Sequence, residues 1–452
     1  MSDSIHELYQ TREYPPMSHP SSDPAVSAVA ARMSGLAVPH PRRASILEIG
    51  CCSGHHLIPL AQRWPDSHFI GIDLIESSIR KANEYALEIG LKNIQFQAVD
   101  LLNYQPKNGP FDFIIAHGFF SWVPDAVKAA LLRFCREHLS PTGIATVSFN
   151  LESGWKSRQP VIEKARAIQQ AIGCDEVESL QILQNLTEKN HPEASIILDM
   201  LAKGSEILAF DDFSPINDPW PLDRFVSAAA HHGLRWLGES NPNENIPRGV
   251  SSEMIGELKS NAAEALSFQT AMDEHSGRTF RSGVLCRDDA ALERVSTNIA
   301  LDFSVRVVSD TGNRVEKALF EAIQSFAPAA VPMCNVLNVM KNDDQRVVLR
   351  QLFEGVHNAS IQLRIEPVYF SEEPPDFPKL DAFRLLCARN QLPLVDAWHV
   401  PCRFPDAHYP VLAAMDGTRH FDDLAALSKT KCPELAFTPW LRHLAARGMF
   451  AE

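Results

Sequence analysis

The chain of 452 residues has no apolar run near the ~18 residues that a membrane-spanning helix needs, which argues against an integral helical membrane protein. Its nine cysteines include no C-x-x-C pair and no regular spacing, so neither a disulfide framework nor a zinc ribbon is indicated. Positive charge is also scarce. Lys plus Arg number 42 against 56 Asp plus Glu, a formal net charge of −14. That balance opposes a general nucleic-acid binder, which needs a basic surface to displace phosphate counterions. It leaves room for a small cationic or zwitterionic ligand, or for a basic side chain as substrate. The start, Met1 to Gln10, lacks the basic and apolar parts of a signal peptide, so a reduced, cytoplasmic setting is expected. What remains is ordinary: 45% hydrophobic and 22% charged residues, at a length that suggests two to four domains.

The periodicity is regular from residue 45 onward. Apolar strands are expected at Ser45–Ile49, Phe69–Ile72, Ile94–Ala98, Phe111–Ala116 and Gly143–Phe149. Helices with one apolar face are expected between them, at His55–Trp64, Ser77–Ile89 and Ala126–His138, after a short helix at Ala25–Leu36. This alternation predicts an α/β fold with a Rossmann-like parallel sheet covered by helices on both faces. From residue 152 to about 208 the pattern is helical, with candidates at Gln159–Ile172, Glu176–Leu186 and Ala194–Leu208. A helix at Leu222–His232 follows, then strands at Leu234–Leu237 and Arg278–Cys286, read as the last pair of the sheet. The expected division is therefore a ligand-binding core at 1–155, a helical insertion closing the sheet at 156–290, and a separate α-rich unit at 291–452. That last unit is expected to hold a helix at Arg314–Phe326, an edge strand at Ser360–Pro367, a Pro-rich linker at Tyr369–Pro378 and closing helices beyond it.

The informative segment is 46–54, ILEIGCCSG, where a strand ends in an acidic-x-Gly turn and a second Gly opens a helix. Gly50 and Gly54 let the backbone turn sharply and approach a ligand. A dinucleotide site would want a third glycine and no acid before the turn. Glu48 would repel a phosphate but suits an amino group, which favours S-adenosylmethionine as the cofactor. Asp73 ends the second strand and is placed to accept from ribose hydroxyls; Asp100 ends the third, placed for an adenine amino group. Any one acid alone reads as a helix cap, but the ordered set faces one crevice. Their neighbours Cys51, Leu74 and Leu101 belong to the same candidate site. The Cys51–Cys52 pair has no zinc spacing, and no metal is expected.

On these residues the chain resembles the class I S-adenosylmethionine-dependent methyltransferases over about 40–150, and more loosely to about 290. It departs from many of them at Cys52, where they carry a middle glycine. A narrower resemblance rests on FDFIIAHGFFSWVP at 111–124, LSPTGIATVSFN at 139–150, Gly154–Trp155, Tyr14–Pro15, Ser18–Pro20, Ile216–Pro219 and Phe280–Cys286. It is to bacterial methyltransferases with a methyltransferase regulatory domain, among them lysine methyltransferases of rickettsial outer-membrane proteins. The resemblance implies N-methylation of lysine in a protein substrate, one that is lysine-rich or an outer-membrane protein before export. A small-molecule methyltransferase and a cofactor-binding protein without turnover are the alternatives, and a nicotinamide oxidoreductase is disfavoured. The sequence departs at Lys156–Pro160 and at Asp211–Asp212, both near the expected acceptor pocket.

Methyl transfer to nitrogen needs a neutral amine, alignment and little acid–base machinery. Candidate acceptor-side residues are His117, Phe120, Trp122 and Trp155, with Tyr14 as part of a lid over the cofactor and His117 also beside it. Each has a plainer reading. Phe119 and Phe120 could be core, Trp122 a loop anchor, Trp155 packing on the insertion, His117 a helix cap and Tyr14 a surface residue. His56 either touches the cofactor's carboxylate or faces solvent. From Leu385 to Glu452 seven Lys/Arg balance seven Asp/Glu, so protein recognition or homodimer formation is expected there rather than DNA binding.

Overall fold

A computed structural model describes residues 8, 12–245, 252–261, 264–308, 317–341 and 344–451. Most of the first ten residues, and residues 314–316 of the expected helix at Arg314–Phe326, lie outside the described residues. The rest of that helix is present as Lys317–Gln324.

Seven strands form the central sheet: β1 (Ser45–Ile49), β2 (His68–Asp73), β3 (Ile94–Ala98), β4 (Phe111–Ala116), β5 (Leu139–Asn150), β6 (Leu234–Glu239) and β7 (Phe280–Arg287). Their order is β3-β2-β1-β4-β5-β7-β6. The first five run parallel, while β7 pairs antiparallel with both β5 and β6. Alternating side chains build two cores. Ile46, Phe113, Ile144 and Val284 face one; their neighbours Leu47, Ile114, Ala145 and Leu285 face the other. Central strands buried on both faces explain the unbroken apolar runs, whereas β3, at the edge, exposes every second residue or more.

The insertion differs from expectation in two places. The first helix begins at Glu152 and runs through Pro160, which sits on its exposed face, to Ile172. The expected helix Ala194–Leu208 is two, Pro192–Ala202 and Ser205–Phe210. Gly204 breaks it at φ +84°, a conformation that side chains disfavour.

The C-terminal region is not set apart. A small antiparallel sheet, β8 (Ser304–Val307), β9 (Val331–Pro332) and β10 (Ile361–Arg364), shares its core with Val29 of the N-terminal helix Pro24–Met33. The closing helices Ala382–Arg389, Phe421–Lys431 and Phe437–Ala446 join the core of the first sheet face through Phe383, Leu386, Leu424, Leu441 and Leu444. The helix Pro24–Met33 is small-residue rich, which lets elements close on it from several sides. Asp23 caps it, fully buried, between Arg364 at 2.7 Å and Arg63 at 2.9 Å. Burial alone would raise this carboxyl; the two guanidinium groups hold it well below the usual carboxylate range.

Candidate active site

The C-terminal ends of β1 to β4 open into a cleft. Gly50, Asp73, Leu74, Asp100, Leu101 and Trp122 line it, as expected from their places at strand ends. Gly50 adopts φ +78°, and a Cβ there would come within 3.0 Å of the Phe119 ring. The glycine thus serves both the turn and a close approach.

Asp73 organises the loop. One carboxylate oxygen accepts from the Cys52 amide at 2.9 Å and the other from the Ile75 amide at 2.9 Å. Burial raises this carboxyl, and the backbone donors pull it part of the way back. Each oxygen keeps a lone pair for a further donor. Cys52 itself stands at φ +47°, in the left-handed region that favours glycine. Its amide bond to Asp73 offsets that strain. Asp100 caps the turn Leu101–Asn103 by accepting from the Leu102 amide at 3.0 Å, with capacity left over.

Other candidates lie elsewhere. Glu48 is buried beneath the loop and does not line the cleft. Its Oε2 has no hydrogen-bond partner, and burial, then Asp73, pushes its carboxyl up to about 8. Cys51 is buried, its Sγ 3.8 Å from the Cys52 carbonyl, and Gly54 packs against Phe96. Among the described residues no three His, Cys, Asp or Glu side chains gather as a metal could use. His117 turns away from the cleft; its place in the lining is taken by Gly118. It stacks on His19 at 3.8 Å and shares a 2.7 Å hydrogen bond with Ser22. His56 joins the same cluster, accepting from the His19 amide and bonded to His399 at 2.8 Å, so it is neither solvent-exposed nor in the cleft. Burial lowers all four histidines, His19 to about 4, and they are neutral at pH 7.

Phe120 belongs to the core. Its ring meets Trp220 at 5.0 Å and Phe225 at 5.1 Å, under the buried Lys128. The ring at the cleft is Phe119, since the turn Phe120–Trp122 sends adjacent side chains to opposite sides. Trp155 stands behind Trp122, ring centroids 6.2 Å apart, and donates to the Thr279 carbonyl. Tyr14 packs edge-on against Phe210 at 5.2 Å; burial, then Asp211 and Cys52, raises its phenol. It does not line the cleft. Sequence reasoning missed the wall residues Val99, Gly118, Val123 and Val127, and the union of His56 with His399, for which no local pattern exists.

Residues 46–143 match the family model of a methyltransferase domain, and residues 204–287 that of a predicted methyltransferase regulatory domain. An uncharacterized protein of Rickettsia prowazekii is 27% identical over 65% of this chain and 55% of its own length. A second is 31% identical over 34% of the chain and 62% of its own length, so these matches span little more than half of the curated relatives. Trans-aconitate 2-methyltransferase of Azoarcus sp. is 30% identical over 26% of this chain and 44% of its own length. The structure of PKMT2 from Rickettsia typhi in complex with AdoHcy superposes with a TM-score of 0.80 at 18% identity, covering 97% of this chain and all of that one. The likeness to that structure covers the fold of nearly the whole chain, the seven-stranded sheet has Rossmann-like topology, and S-adenosylmethionine is the cofactor that goes with the methyltransferase domain matched at residues 46–143.

Proposed function

We infer that this chain is an S-adenosylmethionine-dependent methyltransferase that modifies a lysine side-chain nitrogen in a protein substrate. The observation that carries the methyltransferase reading is the cleft itself. A glycine turn and two carboxylates at successive strand ends lie within the residues that match a methyltransferase domain. The donor set fits the cofactor: Asp73 and Asp100 retain acceptor capacity for ribose hydroxyls and an adenine amino group, and Gly50 leaves room for close approach. When bound, S-adenosylmethionine supplies an electrophilic methyl group on a positively charged sulfur.

This chain's own residues then do three things. Asp73 and Asp100 orient the nucleoside from the strand ends. Phe119, Trp122, Val123 and Val127 exclude water, which favours the neutral amine of an acceptor. The insertion, with Tyr14, Phe210 and Trp155, shapes the approach to the cleft. The lysine reading draws on the likeness to PKMT2 along the whole chain and on the sequence resemblance at 111–124. Incubation with tritium-methyl S-adenosylmethionine and a bacterial protein extract tests it. Label recovered as methyl-lysine in a protein band is the expected result. Label only in small molecules, or none, contradicts it.

A further inference from the structure

A chain of side chains leads from the cleft wall out to Asp211. Tyr14 packs edge-on against Phe210, the residue before Asp211, with ring centroids 5.2 Å apart. Lys203 lies 3.7 Å from Asp211 and 5.8 Å from the Trp155 ring centroid; Trp155 packs on Trp122, in the cleft wall. This vestibule is aromatic, and its charges do not balance. Arg158 pairs with Asp199 and with Asp212, and Lys203 with Asp212 and Asp211. In that network two cations face three carboxylates, which leaves a net negative charge beside aromatic rings, an arrangement that recognises a cation.

The two adjacent acids differ. Asp212 is fully buried and takes Lys203 at 2.7 Å and Arg158 at 3.3 Å, as a structural anchor. Asp211 keeps 28% of its side chain exposed and has only the looser contact to Lys203. After the helix break at Gly204, it directly follows Phe210, whose ring meets Tyr14.

We propose that Asp211 holds the acceptor ammonium at the cleft mouth and takes its proton before transfer, a role that rests on the lysine-modifying reading above. One N–H bond of the ammonium breaks, its electron pair stays on nitrogen, and the proton bonds to a carboxylate oxygen of Asp211; nothing is oxidised or reduced. The pair on nitrogen is then free to attack carbon. Burial, partly offset by Lys203, raises the Asp211 carboxyl to about 6, which suits a group that must receive a proton near neutrality. The charged and titratable groups facing it are Lys203, Asp212, Arg158 and Tyr14.

The test titrates the chain, saturated with S-adenosylhomocysteine, with n-butylammonium and with uncharged n-butanol, followed by tryptophan fluorescence or NMR. Wild type is expected to bind the ammonium at least tenfold more tightly than the alcohol. Asp211→Asn loses that preference while keeping its affinity for S-adenosylhomocysteine, and Asp211→Glu retains most of it. The wild-type preference should also fall roughly tenfold between pH 7 and 5, as a carboxyl of pKa about 6 becomes protonated. This pH arm decides the matter even if Asp211→Asn does not fold. An Asp211→Asn chain with wild-type preference, or a flat pH response, overturns the proposal. The tritium assay separates the two readings. Protein labelled equally by wild type and Asp211→Asn overturns the role of Asp211 alone. Ammonium binding that depends on Asp211 without any protein label supports the site and overturns lysine modification.

Discussion

Glu48 carries a buried carboxyl beneath the cleft loop. It is 3% exposed, one oxygen lacks a partner, and its proton is held up to about pH 8 against an ordinary value of 4.5. The folded state therefore binds this proton more tightly than the unfolded chain does. The stability it contributes is fully present below about pH 4.5 and is lost as pH rises through about 8. Glu48→Gln is predicted to flatten the fall in unfolding midpoint over that window, measured by thermal melts from pH 4.5 to 8.5; an unchanged slope would assign the pH dependence to another group. Gly50, Asp73 and Asp100 were legible as cleft-lining residues because each stands at a strand end, where topology alone points it into the crevice. The choice between Phe119 and Phe120 was not legible. Both follow β4, and only the turn decides which ring faces the cleft and which the core.

At the scale of elements, β1, β3 and β4 have the bounds that their apolar runs suggested, and β6 and β7 do close the sheet as its last pair. Hydrophobic periodicity reports burial, and these strands are buried on the sheet's terms. The split of the insertion helix at Gly204 was hidden, because the residues on both sides keep helical composition. Gly204 has φ +84° and ψ 157°, and a Cβ there would meet nothing within 4 Å. The cost of a side chain is thus purely conformational, on the order of 1–3 kcal/mol. Gly204→Val is predicted to shift the Ser205–Phe210 helix, and with it Phe210 and Asp211. Acceptor capture should suffer at least fivefold while S-adenosylhomocysteine affinity stays within twofold, as read by parallel titrations. Equal losses on both would mean that the helix supports the cleft as a whole.

At the scale of the molecule, residues 382–446 are bound to the sheet by a continuous core rather than held as a separate module. No local pattern could reveal this, since Asp23 meets Arg364 across 341 residues of sequence and His56 meets His399 across 343. Asp23→Asn keeps a cap for its helix but leaves Arg364, 1% exposed, without its buried counter-ion. The predicted cost is about 3–5 kcal/mol in urea unfolding. A loss below 1 kcal/mol would show that the C-terminal part docks without this pair. Among the described residues no helix is long and apolar enough to cross a membrane.

The central claim is that the cleft at the ends of β1 to β4 holds the cofactor through Asp73. Calorimetric titration of S-adenosylhomocysteine into wild type and Asp73→Ala tests it most directly. Wild type is predicted to bind one equivalent, and Asp73→Ala at least tenfold more weakly, since hydrogen bonds from a ligand to a charged group contribute about 1.5–3 kcal/mol. Equal affinity in the two chains, or no binding to wild type, would contradict the account.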